Sequence, residues 1–198
     1  MAENDQILID RFTSGDARAF QELVERYKKK VYYLAYDITG DHHEAEDVSQ
    51  EVFVKAFRSL NTFRRDAKMS SWLYKITVNS SIDSLRKKSS KPETSMDIIE
   101  KADVQNSSLG SSTELDPVRT AESLLLQKQI SYALQKVSPK ERSVFVMRHY
   151  NDLKIREIAE ILDISIGTVK ALLFRSIKKL RKELSTYRGN PGLEVTHE

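Results

Sequence analysis

A chain of 198 residues with no cysteine and a net charge of +3 has room for one substantial domain or two small ones, and it offers neither a disulfide framework nor a thiolate metal site. Its first residues, MAENDQILID, are acidic where a secretory leader is basic and then apolar. No apolar run approaches the roughly 18 residues of a membrane span, so the expected location is the cytoplasm. The charge is unevenly spread. Residues 37–51 hold six acids and no Lys or Arg, residues 54–88 nine bases against two acids, residues 93–122 seven acids against two bases, and residues 165–188 seven bases against one acid. Two separated basic blocks are two candidate surfaces for a polyanion, or two helices with solvated lysines.

The first strong pattern is Phe20, Leu23, Val24, Tyr27, Val31, Leu34, Ala35 and Ile38, an apolar stripe about six helical turns long. DHHE follows, with Asp41 as N-cap and Glu44 three residues on. The next helix places Ala45, Val48, Val52, Ala56 and Leu60 on one face. The loop NTFRRDAKMS leads to SWLYKITVNSSIDSLRKK, whose apolar positions are Trp72, Leu73, Ile76, Ile82 and Leu85. From Ser89 to Asp116 the pattern dissolves into Ser, Asp and Glu, a composition that cannot offset its ordering entropy and reads as a flexible acidic linker. Helical order resumes with Asp116 as cap and Pro117 at the first position. Ser138, Pro139 and Glu141 then form a capping box. The tail from 188 to 198 looks frayed. Little argues for strands, so the fold class is all-α: two small helical domains, residues 1–88 and 117–187, joined by the linker 89–116.

KIREIAEILDISIGTVKALLFRSIKKLRKEL has the outline of a helix-turn-helix. Ile155, Ile158, Ala159 and Leu162 form one buried face, Ile164 plugs the turn and Ser165 caps the second helix. Val169, Leu173, Ile177, Leu180 and Leu184 face inward. The complementary face carries Thr168, Lys170, Ala171, Phe174, Arg175, Lys178 and Lys179. In such a motif the first part of the second helix meets base edges in the major groove, and cations further along meet phosphates. An amphipathic hairpin with a basic face would share this outline.

EAEDVSQEVFVKAF (Glu44 to Phe57), the loop after it, and WLYKITVN (Trp72 to Asn79) resemble the second conserved region of bacterial sigma factors of the extracytoplasmic-function type. That region reads approximately D-A-E-D-V-x-Q-E-x-F-x-x-A-[FWY] and then W-L-Y-[RK]-I-x-x-N. SPKERSVFVMRHYNDLKIREIAEILDISIGTVKALLFRSIKKLRKEL resembles their fourth region, departing from it at Ala171 and Leu172, where the family often has Ser and Arg. The resemblance implies a polymerase-docking face of Glu46, Asp47, Gln50, Glu51, Val54 and Phe57, set against the clamp helices of the largest core subunit. It implies contact with the melted minus-ten element through Phe63, Arg64, Arg65, Lys68, Trp72, Tyr74, Lys75 and Asn79. The helix-turn-helix would then read the minus-thirty-five duplex. No catalytic residue, cofactor or metal is implied; an anti-sigma partner is.

Four other readings exist. The acidic block would by itself suit any helix N-terminus. A helix-turn-helix regulator could bind operators without polymerase. His42 with Glu46, and His43 with Asp47, are spaced i, i+4, as two ligands of a divalent metal in a hydrolase would be. Trp72 and Phe63 would also serve as ordinary core residues.

Overall fold

The long apolar stripe forms the central helix of the fold. The computed structural model describes residues 4–63, 68–90 and 129–185, and these residues hold helices and turns with no strand. Helix α1 is Asp5–Thr13, α2 Ala17–Thr39, α3 His42–Ser59 and α4 Met69–Ser90, with a 3-10 turn at Leu60–Thr62 between the last two. Residues 129–135 belong to a helix, α5. Helix α6 is Pro139–His149, α7 Ile155–Leu162 and α8 Ile166–Ser185. Helix α4 runs two residues past the expected boundary at 88. The rest of the expected linker, residues 117–128 and the tail lie outside the described residues.

The caps explain the boundaries. Asp16 accepts the Arg18 amide at 3.0 Å to start α2, and α2 ends at Gly40, whose φ of +75° suits a residue without Cβ. Asp41 accepts the Glu44 amide at 3.1 Å, as expected. The Glu44 carboxylate turns instead to Ser84 and toward Lys88, which tie α3 to α4. At α6 the expected box is altered: Ser138 is the N-cap, yet its hydroxyl donates to the Glu141 carboxylate at 2.8 Å and accepts no backbone amide.

Two apolar clusters share the stripe of α2. In the first, Leu23, Tyr27, Val31 and Ala35 meet Ala45, Val48, Val52 and Ala56 of α3, Leu8 and Ile9 of α1, and Met69 and Leu73 of α4. In the second, Leu34 and Ile38 of α2, with Val78 and Ile82 of α4, meet Val144, Val146 and Met147 of α6, Ile158, Ala159 and Ile161 of α7, and Val169, Leu172 and Leu173 of α8. Each fully buried aliphatic side chain contributes on the order of 1.5–3 kcal/mol. The two helical modules therefore meet along a common seam. Helix α4 also buries Thr77, Ser80 and Ser81. Thr77 and Ser81 donate to the carbonyls four residues earlier, at 2.8 Å each, and Lys55 of α3 donates to Ser80 at 2.9 Å, so these hydroxyls are satisfied without water.

Candidate functional site

Three surfaces carry the expected residues. On α3, Glu46, Asp47, Gln50, Glu51, Val54 and Phe57 are all exposed, because Ala45, Val48, Val52 and Ala56 consume the opposite face in the core. Val54 and Phe57 are each 49% exposed, and Phe57 rests edge-on against Phe12 at 5.3 Å and Phe20 at 5.1 Å. Lys55 pairs with Glu51 at 2.7 Å. A shallow groove of about 400 Å³ runs between α2 and α3, lined by Val24, Tyr32, Tyr33 and Phe53 among others. An acidic helix face beside exposed apolar side chains and a groove suits a basic, partly apolar protein surface and repels DNA.

The histidines do not stand out toward solvent as a pair. His42 hydrogen-bonds the Tyr32 hydroxyl through Nδ1 at 2.6 Å and stacks on Tyr36 at 4.3 Å, while His43 is exposed. Among the described residues no three His, Cys, Asp or Glu side chains are grouped so as to hold a metal ion.

The second surface begins at Phe63. Its ring lies 5.2 Å from that of Trp72, and both pack against the first cluster. Tyr74 packs against the second cluster, and burial pushes its phenol up. Lys68, Asn79, Asp83, Arg86, Lys87 and Lys88 are exposed, and Lys75 is half-buried. Arg64 and Arg65 lie outside the described residues.

The third surface is α8. The turn before it closes on Asp163, a non-glycine residue in the left-handed region at φ +56°, and on the Ile164 amide, which donates to the Ala159 carbonyl at 3.0 Å. Ser165 caps α8 by accepting the Thr168 amide at 3.0 Å. Val169, Leu173 and Leu180 are buried as expected, and so are Leu172 and Ser176. Leu172, 8% exposed, has no outward position from which a cation in its place could simply reach a phosphate. Thr168, Lys170, Ala171, Phe174, Arg175, Lys178 and Lys179 are all exposed, Phe174 by 70%.

One residue beneath this surface reads in the sequence as a cap alone. Glu141 of α6, 5% exposed, accepts from Lys179 Nζ at 2.6 Å and faces Arg175 Nε at 3.5 Å. Burial pushes its carboxyl up, but the hydrogen bonds from Lys179 and Ser138 outweigh that and hold it below the usual range.

A helical module with an exposed acidic and apolar helix face, followed by a helix-turn-helix with an exposed basic second helix, is an architecture suited to a protein partner on one side and duplex DNA on the other. The chain matches Sigma-70 region 2 over residues 23–91 and Sigma-70 region 4 over residues 127–180. It is 38% identical over 179 residues to the ECF RNA polymerase sigma factor SigW of Bacillus subtilis (strain 168), covering 89% of this chain and 94% of that protein. To the ECF RNA polymerase sigma-E factor of Escherichia coli (strain K12) it is 35% identical, covering 87% and 90%. Its fold resembles that of CnrH, solved in complex with the cytosolic domain of CnrY, with a TM-score of 0.63 and 23% identity over 92% of this chain and 97% of that one. The chain belongs to the extracytoplasmic-function sigma factors, a family of non-catalytic factors acting in transcription initiation. No helix among the described residues is long and apolar enough to cross a membrane.

Proposed function

We propose that this chain directs core RNA polymerase to specific promoters by a division of labour among its three surfaces. The α3 face, through Glu46, Asp47, Gln50, Glu51, Val54 and Phe57, docks on the clamp helices of the largest core subunit. The loop after Leu60 and the exposed side of α4, with Lys68, Lys75 and Asn79, take the opened minus-ten strand. Cations there track the backbone, and a flipped base is held beside them. Helix α8 reads the minus-thirty-five duplex through Lys170, Ala171, Phe174 and Arg175, and Lys178 and Lys179 contact phosphates. The domain division remains residues 1–88 for the first module and 117–187 for the second. The chain itself has no catalytic chemistry and works in the cytoplasm, and an anti-sigma protein holds it inactive.

The observation that carries this reading is the coexistence of an exposed acidic–apolar helix face and a capped, exposed basic recognition helix on one chain. An operator-binding regulator needs only the second. The seam adds a requirement. Two promoter elements two helical turns apart lie about 70 Å from each other, and modules packed through α2, α4, α6 and α7 cannot span that while in contact. The residues of the expected linker after α4, 91–116, reach about 85 Å when extended, so docking on polymerase must part the seam and stretch the tether. The test is run-off transcription with purified bacterial core enzyme and mapping of the start sites. Specific starts that depend on the chain are expected; starts identical to those of core alone would refute the reading.

A further inference from the structure

We infer that Glu141, which lies outside the helix-turn-helix, is a positioning residue for duplex reading: from α6 it orients Arg175 of α8 toward one base. This rests on α8 being the duplex reader.

The carboxylate sits at the third position of α6, whose Pro139 start and N-terminal dipole favour an acid there. It is nearly inaccessible, and Ser138 donates to Oε2 at 2.8 Å. Its position is therefore set by a rigid element rather than by its own rotamers. Lys179 Nζ donates to the same Oε2 at 2.6 Å, while Oε1 faces Arg175 Nε at 3.5 Å. A carboxylate facing Nε at ion-pair distance attracts the root of the guanidinium fork toward α6 and leaves both terminal nitrogens for another partner. Arg175 is 56% exposed at its side chain, so that partner comes from outside. A planar fork offering two parallel N–H groups matches guanine O6 and N7. Holding the fork before contact removes much of the rotamer freedom that binding would otherwise have to freeze. Lys179, one turn further on and 48% exposed, neutralises the carboxylate, so Glu141 does not confront the DNA as a bare charge.

A carboxylate under two cations has an opposite possible effect, since it competes with DNA for them. The two differ in what removal does. Loss of a competitor raises affinity on every sequence; loss of a positioner lowers discrimination at one base pair and leaves binding to scrambled duplex unchanged or slightly stronger.

The experiment uses holoenzyme reconstituted from core polymerase and the full chain, with a duplex library randomised across the upstream element. The chains are wild type, Glu141→Ala, Glu141→Gln, Arg175→Ala and the double variant. We expect wild type to enrich a motif containing a guanine. Glu141→Ala should reduce the preference for that guanine about tenfold, within the range of one good bidentate contact, and retain the rest of the motif. Glu141→Gln, whose carbonyl oxygen can still face Nε from the same place, should recover part of it. Adding Glu141→Ala to Arg175→Ala should change nothing further. The inference is overturned if Glu141→Ala keeps the wild-type motif, binds all sequences more tightly, or weakens all of them equally, the last being the mark of a fold defect. A wild type that enriches no motif would instead sink the duplex reading itself.

Discussion

Arg142 of α6 donates from Nη1 to the carbonyl of Ile38 in α2 at 2.7 Å, joining residues 104 positions apart. Its other terminal nitrogen faces the carbonyls of Gln135 and Val137 at 3.0 and 3.5 Å. The Ile38 carbonyl belongs to the last turn of α2, where carbonyls have no intrahelical donor and the dipole favours a cation. Burial lowers the guanidinium to about 10, so it remains charged at neutral pH. Arg142→Ala would leave three carbonyls short of a donor, and we expect the free energy of unfolding to fall by about 2–4 kcal/mol in urea titration. Arg142→Lys should recover less than half, because an ammonium cannot span both modules with a planar fork.

In the proposed function, the seam that Arg142 spans parts when the chain docks on polymerase. The absence of native cysteine allows unique labels at exposed Glu25→Cys on α2 and Lys182→Cys on α8. Energy transfer in the free chain should report one short-distance population. Core polymerase with promoter DNA should replace it with a longer one. An unchanged distance in an actively transcribing complex would contradict the account.

Asp37 makes the fold sensitive to pH. Burial raises its carboxyl to about 7 from 3.8. Its charge helps to raise the neighbouring phenols: Tyr150 stands at about 12, mainly through burial, and Tyr36 is raised in the same way. As pH rises from about 4 to about 7, the unfolded chain loses this proton before the folded one does. The stability contributed by neutral Asp37 is thus complete below about pH 4 and lost as pH passes through about 7. Other titrating groups superimpose their own slopes, so the comparison is with Asp37→Asn. That variant should lack the Asp37 component and be the more stable chain at pH 8, by up to a few kcal/mol. Equal pH profiles for the two chains would show that the carboxyl is solvated.

How much of this was legible depended on what each pattern encodes. The stripe on α2 and the buried face of α3 could be read because apolar residues at helical spacing must be covered. Periodicity does not say by what: Leu34 and Ile38 continue the same stripe as Leu23 and Val31, yet they pack on the second module. Helix α1 went unread because Leu8 and Ile9 sit among acids in a short segment, where Asp5 ties to Arg26 and Tyr27 of α2. Thr77, Ser80 and Ser81 hid the buried side of α4 by being polar. On α8 all seven residues assigned to the outer face are exposed, while Ile166, Arg181 and Lys182, also exposed, fall outside that set. Ile161 and Leu172 were missed, since an apolar residue beside an already complete stripe gives no sign of its side. Glu141 was legible as a cap and not as a partner of Arg175, because 34 positions of sequence carry no distance.

The recognition helix offers a separation by salt and sequence. Lys178→Ala should weaken binding on specific and scrambled duplex alike and reduce the salt slope by about one. Arg175→Ala should cost about 1–3 kcal/mol on the preferred sequence and little on a scrambled one. Filter binding of holoenzyme at several salt concentrations distinguishes them.

The division of labour itself is tested most directly by measuring core association and start-site choice in one preparation. The pair to compare is Asp47→Lys/Glu51→Lys on α3 and Arg175→Ala on α8. The α3 variant should fail to join core polymerase while folding normally. The α8 variant should join core as wild type does yet initiate less selectively at the promoters the wild type prefers. An α3 variant that assembles and initiates like the parent chain would contradict the account at its root.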